Sequence, residues 1–339
     1  MTIDGDMPIS KKLVVPHKAF SCAVRQLDTS FRFSANKAEA EGLAIIGESR
    51  TGKTSVLNQF YAQHPPNRDA DGVKVPILRA MVPPTPTVKS LTDVLLEALE
   101  APFSWRGTET EKTRQLRILM KKTGTRMVMI DEFQHFYDSG KRQVMERVAN
   151  WLKNLIGETR STLVVAGLPS CKVVIDQNEQ LAGRFLAPVT LPRFEWKNLD
   201  HRDEFQSILG SFHATLAEHF DLPVLDSDSM AFRFYCATNG LIGLLAKLLQ
   251  QVERNAIMED RRAIRLEDLH TAHMEALWIC SGFLNLPKPF DPSFMPEENE
   301  DILSRVRLIG TVPVPVPETS KRSGRAGKIK SIDSELVAS

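Results

Sequence analysis

Eight residues, Gly47-Glu48-Ser49-Arg50-Thr51-Gly52-Lys53-Thr54, follow the apolar run Leu43-Ala44-Ile45-Ile46 and carry the glycine, lysine and hydroxyl spacing of a loop that cradles phosphate. Gly47 and Gly52 let the backbone curl so that successive N–H groups face an anion. Glu48, Ser49, Arg50 and Thr51 supply the rest of that backbone, and a helix opening near Ser55 adds the positive end of its dipole. Lys53 has the reach for β- and γ-oxygens, and the Thr54 hydroxyl is a ligand for Mg²⁺. Such a loop holds a nucleoside triphosphate with its metal.

A loop of this kind does not separate a kinase, a GTPase and an ATPase, but acids at the end of a further strand do. Met127-Val128-Met129-Ile130 runs into Asp131 and Glu132. Asp131 is placed to share the Mg²⁺ with Thr54, and Glu132 to polarise an attacking water, so Glu132 and Lys53 are the candidate catalytic residues. The Asn36-Lys37 pair lies ahead of the loop and is followed by Ala38-Glu39, so it does not supply a guanine-reading Asn-Lys-x-Asp. ATP is the expected nucleotide.

Positioning these residues requires short apolar strands alternating with longer helices, the pattern of a parallel sheet. Strands are expected near Leu43 to Ile46, Val75 to Met81, Met127 to Asp131, Leu163 to Ala166 and Ala187 to Leu191. Helices are expected over Thr54 to Gln63, Val88 to Leu99, Glu109 to Lys122, Lys141 to Ile156 and Cys171 to Glu179. Beyond Arg193 the apolar spacing is helical throughout, over Asp200 to His219, Ser227 to Ala237, Ile242 to Asp260 and Leu266 to Trp278. The expected organisation is an N-terminal arm over 1–40, a nucleotide-binding α/β domain over 41–193, a helical lid over 194–282 and a Pro-rich, basic, partly disordered tail over 283–339. The tail carries Lys321, Arg322, Arg325, Lys328 and Lys330.

A chain of 339 residues with 42% hydrophobic and 25% charged residues has the composition of a soluble globular protein. No apolar run reaches the roughly 20 residues a membrane span needs, and the first ten residues lack the basic and apolar regions of a signal peptide, so a cytoplasmic location is expected. Cys22, Cys171, Cys236 and Cys280 are scattered, which favours free thiols over a disulfide framework or zinc site. The net charge of +1 neither requires nor excludes nucleic acid.

The two motifs, the strand between them and the helical region resemble the AAA+ family over roughly Glu41 to Trp278. That resemblance implies a P-loop α/β domain with a five-stranded parallel sheet flanked by helices and an all-helical lid. Leu181-Ala182-Gly183-Arg184-Phe185 is similar to the box where AAA+ proteins carry an arginine finger, which implies that Arg184 reaches a neighbouring subunit's γ-phosphate. The usual polar residue after the fourth strand is absent from Leu168-Pro169-Ser170. Thr238-Asn239-Gly240-Leu241-Ile242-Gly243 holds no sensor arginine, and Lys247 is the nearest substitute. Hydrolysis is therefore expected to be slow and stimulated by DNA or a partner.

Within AAA+, GESRTGKT, MVMIDEFQHF, VVAGLPS, the Arg184-Phe185 box, TNGLIGLLAKLL and the Val15-Pro16-His17 lead-in resemble the TniB/TnsC family of DNA-transposition regulators. The resemblance implies a homo-oligomer, ring or filament, that forms on duplex DNA with ATP bound. It would link a target selector of the TniQ or TnsD kind to the transposase, with hydrolysis driving disassembly. DNA contact would be to the backbone without sequence preference, through candidates Lys89, Lys141 and Arg142 at helix starts. His135 reads as a packing residue, and no metal site beyond nucleotide Mg²⁺ is expected. An origin-recognition-like or secretion-associated AAA+ ATPase, or a nucleotide-gated scaffold with negligible hydrolysis, remain the alternatives on sequence.

Overall fold

The structure, a computed structural model, describes residues 9–310 apart from 14, 35–38, 71, 103, 105 and 278–285. Cys280 and the basic tail from 311 onward lie outside the described residues. Helices α1 (Ile9–Lys12) and α2 (Lys18–Phe33) precede β1 (Gly42–Gly47) and α3 (Lys53–Ala62). A hairpin of β2 (Asn67–Asp69) and β3 (Gly72–Lys74) leads to β4 (Ile77–Met81), α4 (Val88–Ala98) and α5 (Glu109–Lys122). Then come β5 (Met127–Asp131), α6 (His135–Asp138), α7 (Arg142–Thr159), β6 (Thr162–Gly167), α8 (Cys171–Ile175), α9 (Glu179–Ala182) and β7 (Val189–Leu191). Helices α10 (Leu199–Ala217), α11 (Asp228–Thr238), α12 (Ile242–Met258), α13 (Leu266–Ala276) and α14 (Glu300–Val306) follow.

Five strands form one parallel sheet in the order β4-β5-β6-β1-β7. A parallel sheet is covered on both faces, so its central strands must be apolar throughout, and β5 and β6 are buried at every position. Alternate side chains serve opposite layers. Val128, Ile130, Leu163 and Val165 meet Leu91, Leu116, Leu152 and Val174 of α4, α5, α7 and α8. On the other face Met127, Met129, Val164 and Ala166 meet Val56 and Phe60 of α3 and Phe20, Leu27 and Phe31 of α2. The expected N-terminal arm therefore supplies an amphipathic helix to the sheet's core.

Two local features depart from the sequence pattern. The helix expected over Cys171 to Glu179 is two short helices, because the Asn178 side chain accepts the Leu181 N–H at 2.8 Å and caps a new one. The β2–β3 hairpin has no counterpart among the expected elements, since none of its residues is buried and they carry no apolar alternation.

The helical region packs a second core, and residues 286–310 belong to it. Phe290, Ile302, Leu303, Val306 and Ile309 join Phe234, Leu245, Leu248 and Leu269 in one cluster. The Arg233 guanidinium donates to the carbonyls of Pro289 and, at 3.0 Å, Phe294. A boundary at residue 283 thus does not coincide with the packing: the prolines redirect the chain without removing its apolar anchors. Among the described residues no helix is long and apolar enough to cross a membrane.

Phe290 sits edge-on to Phe234 and to His273, at 5.0 and 5.8 Å between ring centres. Burial, with a smaller effect of His270, lowers the His273 pKa from 6.5 to about 4. The folded state resists protonating this ring more than the unfolded chain does, so its contribution is complete above pH 6.5 and is lost as pH falls towards 4. The whole shift corresponds to about 3 kcal/mol. Thermal melts from pH 7 to pH 4.5 are expected to show this loss, and His273→Leu to flatten the slope.

Candidate nucleotide site

The sheet being parallel, β1 and β5 deliver the phosphate loop and the acids to the same edge. Gly47 permits a close turn there: a Cβ would lie 2.5 Å from the Leu191 carbonyl oxygen and 2.7 Å from Thr51 Oγ1. Gly52 takes a φ of 98°, in the left-handed region glycine favours, and opens α3. Arg50 shares that region at φ 66°, and the Thr51 hydroxyl ties the loop by donating to the Glu48 carbonyl at 2.9 Å. Ser49 and Ser55 are carried on the same loop and the first turn of α3.

Lys53 is buried and its Nζ donates to the carbonyls of Gly47 at 3.0 Å and Glu48 at 2.6 Å. Burial pulls its pKa below the usual lysine value, opposed chiefly by the carboxylates of Glu132 and Asp131. Thr54 Oγ1 donates to Asp131 Oδ2 at 2.9 Å. The two motifs therefore meet as one pair of hard oxygen donors, which suits Mg²⁺ because that ion takes one or two protein oxygens and completes its shell with phosphate and water. Among the described residues no cluster of three or more His, Cys, Asp or Glu offers an all-protein metal cage.

Glu132 stands next to this pair with a left-handed backbone, φ 54°. For a residue with a side chain that conformation is costly and is held by its surroundings. Its N–H donates to Asp131 Oδ1 at 2.9 Å, and its Oε2 accepts from Gln134 Nε2. His135 Nε2 lies 4.0 Å from the same oxygen, while Nδ1 bonds the Val82 carbonyl at 2.8 Å. Arg79 of β4, 3.8 Å from Asp131 Oδ2, is a further member of the site that the motifs do not include, although a charge inside an apolar strand run is a usable signal. Burial pushes the Cys171 thiol up to about 12, so it is no nucleophile.

The helical region touches the phosphate loop directly. The Gly243 N–H at the start of α12 donates to the Arg50 carbonyl at 2.8 Å, and a Cβ on Gly243 would lie 2.9 Å from that oxygen. Arg193 donates through Nε to Glu48 Oε2 at 3.0 Å and through Nη1 to the Ile309 carbonyl at 2.9 Å. Asn239 Nδ2 reaches the same carbonyl at 3.1 Å. Lys247 is exposed on α12.

Arg184 lies apart from its own phosphate loop. Its carbonyl accepts the Gly42 N–H at 2.8 Å, at the opposite end of β1, about 17 Å along the strand from Gly47. Its Nη1 donates to the Lys153 carbonyl at 3.0 Å. Lys89 is exposed in the first turn of α4, Lys141 is exposed at the start of α7, and Arg142 is exposed with its Nε on Glu146 at 2.7 Å. Both helices follow the C-terminal ends of neighbouring strands, β4 and β5, so these cations share the loop's edge of the sheet.

A family model described as "Bacterial TniB protein" matches residues 8–197. The chain belongs to the TniB family. The matched stretch takes in the phosphate loop, Asp131, Glu132 and Arg184 and ends just before α10. No curated protein matches the chain. Among solved structures it is similar to Cdc6p from Pyrobaculum aerophilum, with 15% identity, a TM-score of 0.52, and coverage of 76% of this chain and 67% of that one. It is also similar to the Aeropyrum pernix ORC2 protein in ADPNP and ADP complexes, at 13% identity, TM-score 0.55, and 81% and 71% coverage. The Aeropyrum pernix ORC1 protein in complex with DNA gives 16% identity, TM-score 0.53, and 77% and 66% coverage. At such identities the likeness is one of fold, the AAA+ fold with its helical region. This TniB-family member therefore has the fold class expected from its sequence.

Proposed function

We propose that this TniB-family chain is an ATP-hydrolysing switch for DNA transposition. It assembles as a homo-oligomer on duplex DNA in the ATP state and links a target selector of the TniQ or TnsD kind to the transposase. Hydrolysis releases the assembly. The observation that carries the reading is the junction of Thr54 with Asp131 beside Glu132, found within a stretch matching the TniB family.

The loop from Gly47 to Ser55 binds the triphosphate through its backbone N–H groups and the dipole of α3, and Lys53 exchanges its carbonyl partners for phosphate oxygens. Mg²⁺, held by the Thr54 hydroxyl and Asp131, would neutralise charge on the β- and γ-phosphates. Glu132 orients the attacking water and takes its proton. Arg184, too far along β1 to serve its own loop, completes the site of a neighbouring subunit, where a guanidinium spreads over phosphoryl charge. The Gly243–Arg50 and Arg193–Glu48 contacts let the helical region follow the state of the loop.

Lys89, Lys141 and Arg142 bind DNA phosphates. Replacing each by Ala is expected to weaken binding equally on unrelated duplexes and to lower the slope of log K against log salt by about 0.9 for each phosphate no longer neutralised. Fluorescence anisotropy at several salt concentrations reads both. The function as a whole is tested by electron microscopy with duplex DNA and a non-hydrolysable ATP analogue. DNA-threaded rings or filaments are expected; monomers free of DNA would overturn the proposal.

A further inference from the structure

The strand beside β5 ends without a polar side chain at Leu168 and Pro169, yet its end is connected to Glu132 through Gln134. Gln134 is 6% exposed. Its Oε1 accepts the Leu168 N–H at 3.1 Å, and its Nε2 donates to Glu132 Oε2. One end of the amide meets a donor and the other a carboxylate, so this orientation alone satisfies both. Glycine at 167 makes the seat: a Cβ there would lie 2.2 Å from Gln134 Oε1 and 2.6 Å from Cys171 Sγ. The Phe133 N–H donates to the Ala166 carbonyl at 3.0 Å, so the turn carrying Glu132 is laced to β6 by backbone as well as side chain. Without that lacing the half-buried Glu132 side chain, 35% exposed, has rotamers to choose from.

We propose that Gln134 is the positioning residue for Glu132, coupling the end of β6 to the carboxylate and doing from within the Asp131–His135 turn the work of a polar residue at the strand end. The inference rests on the reading that Glu132 orients the attacking water. Gln134 acts through the carboxylate alone. It fixes the carboxylate oxygen it bonds, and a misplacement of about 1 Å at such a group costs on the order of 100-fold in rate.

The test is single-turnover ATP hydrolysis by the full chain assembled on duplex DNA, with nucleotide affinity and the ATP KM measured alongside. Gln134→Glu keeps the size and the acceptor for the Leu168 N–H but loses the donor to Glu132. Gln134→Leu loses both, and the first variant carries the test should the second fail to fold. Each is expected to hydrolyse about 10- to 100-fold more slowly with affinity and KM within about twofold of wild type. In a Glu132→Gln background neither should slow the residual rate further, because Gln134 acts through Glu132. A wild-type rate in Gln134→Glu, a parallel loss of nucleotide affinity, or a loss that adds fully to that of Glu132→Gln would overturn the inference while leaving the function standing. Hydrolysis undiminished in Glu132→Gln would overturn the role of Glu132 and the inference together.

Discussion

Glu132→Gln is expected to bind ATP as the wild type does and to hydrolyse it about 10³-fold more slowly, because the amide matches the carboxylate in size but cannot take a proton from water. The Gln134 contact does not preserve activity, since the amide's carbonyl accepts that bond without becoming a base. Nucleotide affinity survives because the loop backbone, Lys53, Thr54 and Asp131 are untouched. The consequence for assembly follows from linkage: if ATP holds subunits together and hydrolysis parts them, this variant accumulates on DNA and dissociates slowly. Single-turnover hydrolysis and the lifetime of DNA-bound protein after a chase with competitor DNA give the two readouts. Turnover near the wild-type rate would remove Glu132 from the mechanism.

Arg184→Ala should lower hydrolysis about 10³-fold in the assembled state while leaving nucleotide binding by the free subunit unchanged. The distinctive expectation is recovery on mixing. Glu132→Gln cannot hydrolyse at its own site but still binds ATP, assembles and presents Arg184, whereas Arg184→Ala keeps a complete loop and lacks the guanidinium. Co-assembled on DNA, the two inactive proteins pair a competent loop with a competent arginine at a fraction of their junctions, and hydrolysis returns. What supports it is the position of Arg184 at the Gly42 end of β1, about 17 Å along the strand from its own loop. Mixtures as inactive as their components would place Arg184 outside the site, as a clasp for the Lys153 carbonyl.

The core strands are legible in the sequence because a parallel sheet demands apolar residues on both faces, and runs such as Met127 to Ile130 satisfy that without alternation. Helix α5 is legible from its Thr108–Glu111 capping box and its spacing. The loop and the acids are legible because their chemistry fixes residue types at fixed offsets, and the structure brings Thr54 and Asp131 within 2.9 Å across 77 residues of chain. Contacts set by tertiary folding alone are not legible. Nothing in the types or spacing of Gln134 or Arg193 marks them, since one gains its role from a backbone N–H at the end of β6 and the other from Glu48 and the Ile309 carbonyl. Residues 286–310 are hidden by prolines that suggest irregularity, whereas Phe290, Ile302, Leu303 and Val306 bind the segment to the helical core.

The strand order has a consequence for how the molecule comes into being. β1 is laid down early in synthesis, but its partners are β6 and β7, beginning at Thr162 and Val189. Until the ribosome has released more than a hundred further residues, the strand that carries the phosphate loop has no neighbour on either side, and pairings this distant along the chain form slowly. The loop is thus among the last parts of the sheet to acquire its shape. A nascent chain interrupted before Leu191 holds the complete GESRTGKT sequence and yet lacks the carbonyl against which Gly47 turns. The surroundings in which Gly47 turns are in this way complete only once β7 has joined the sheet.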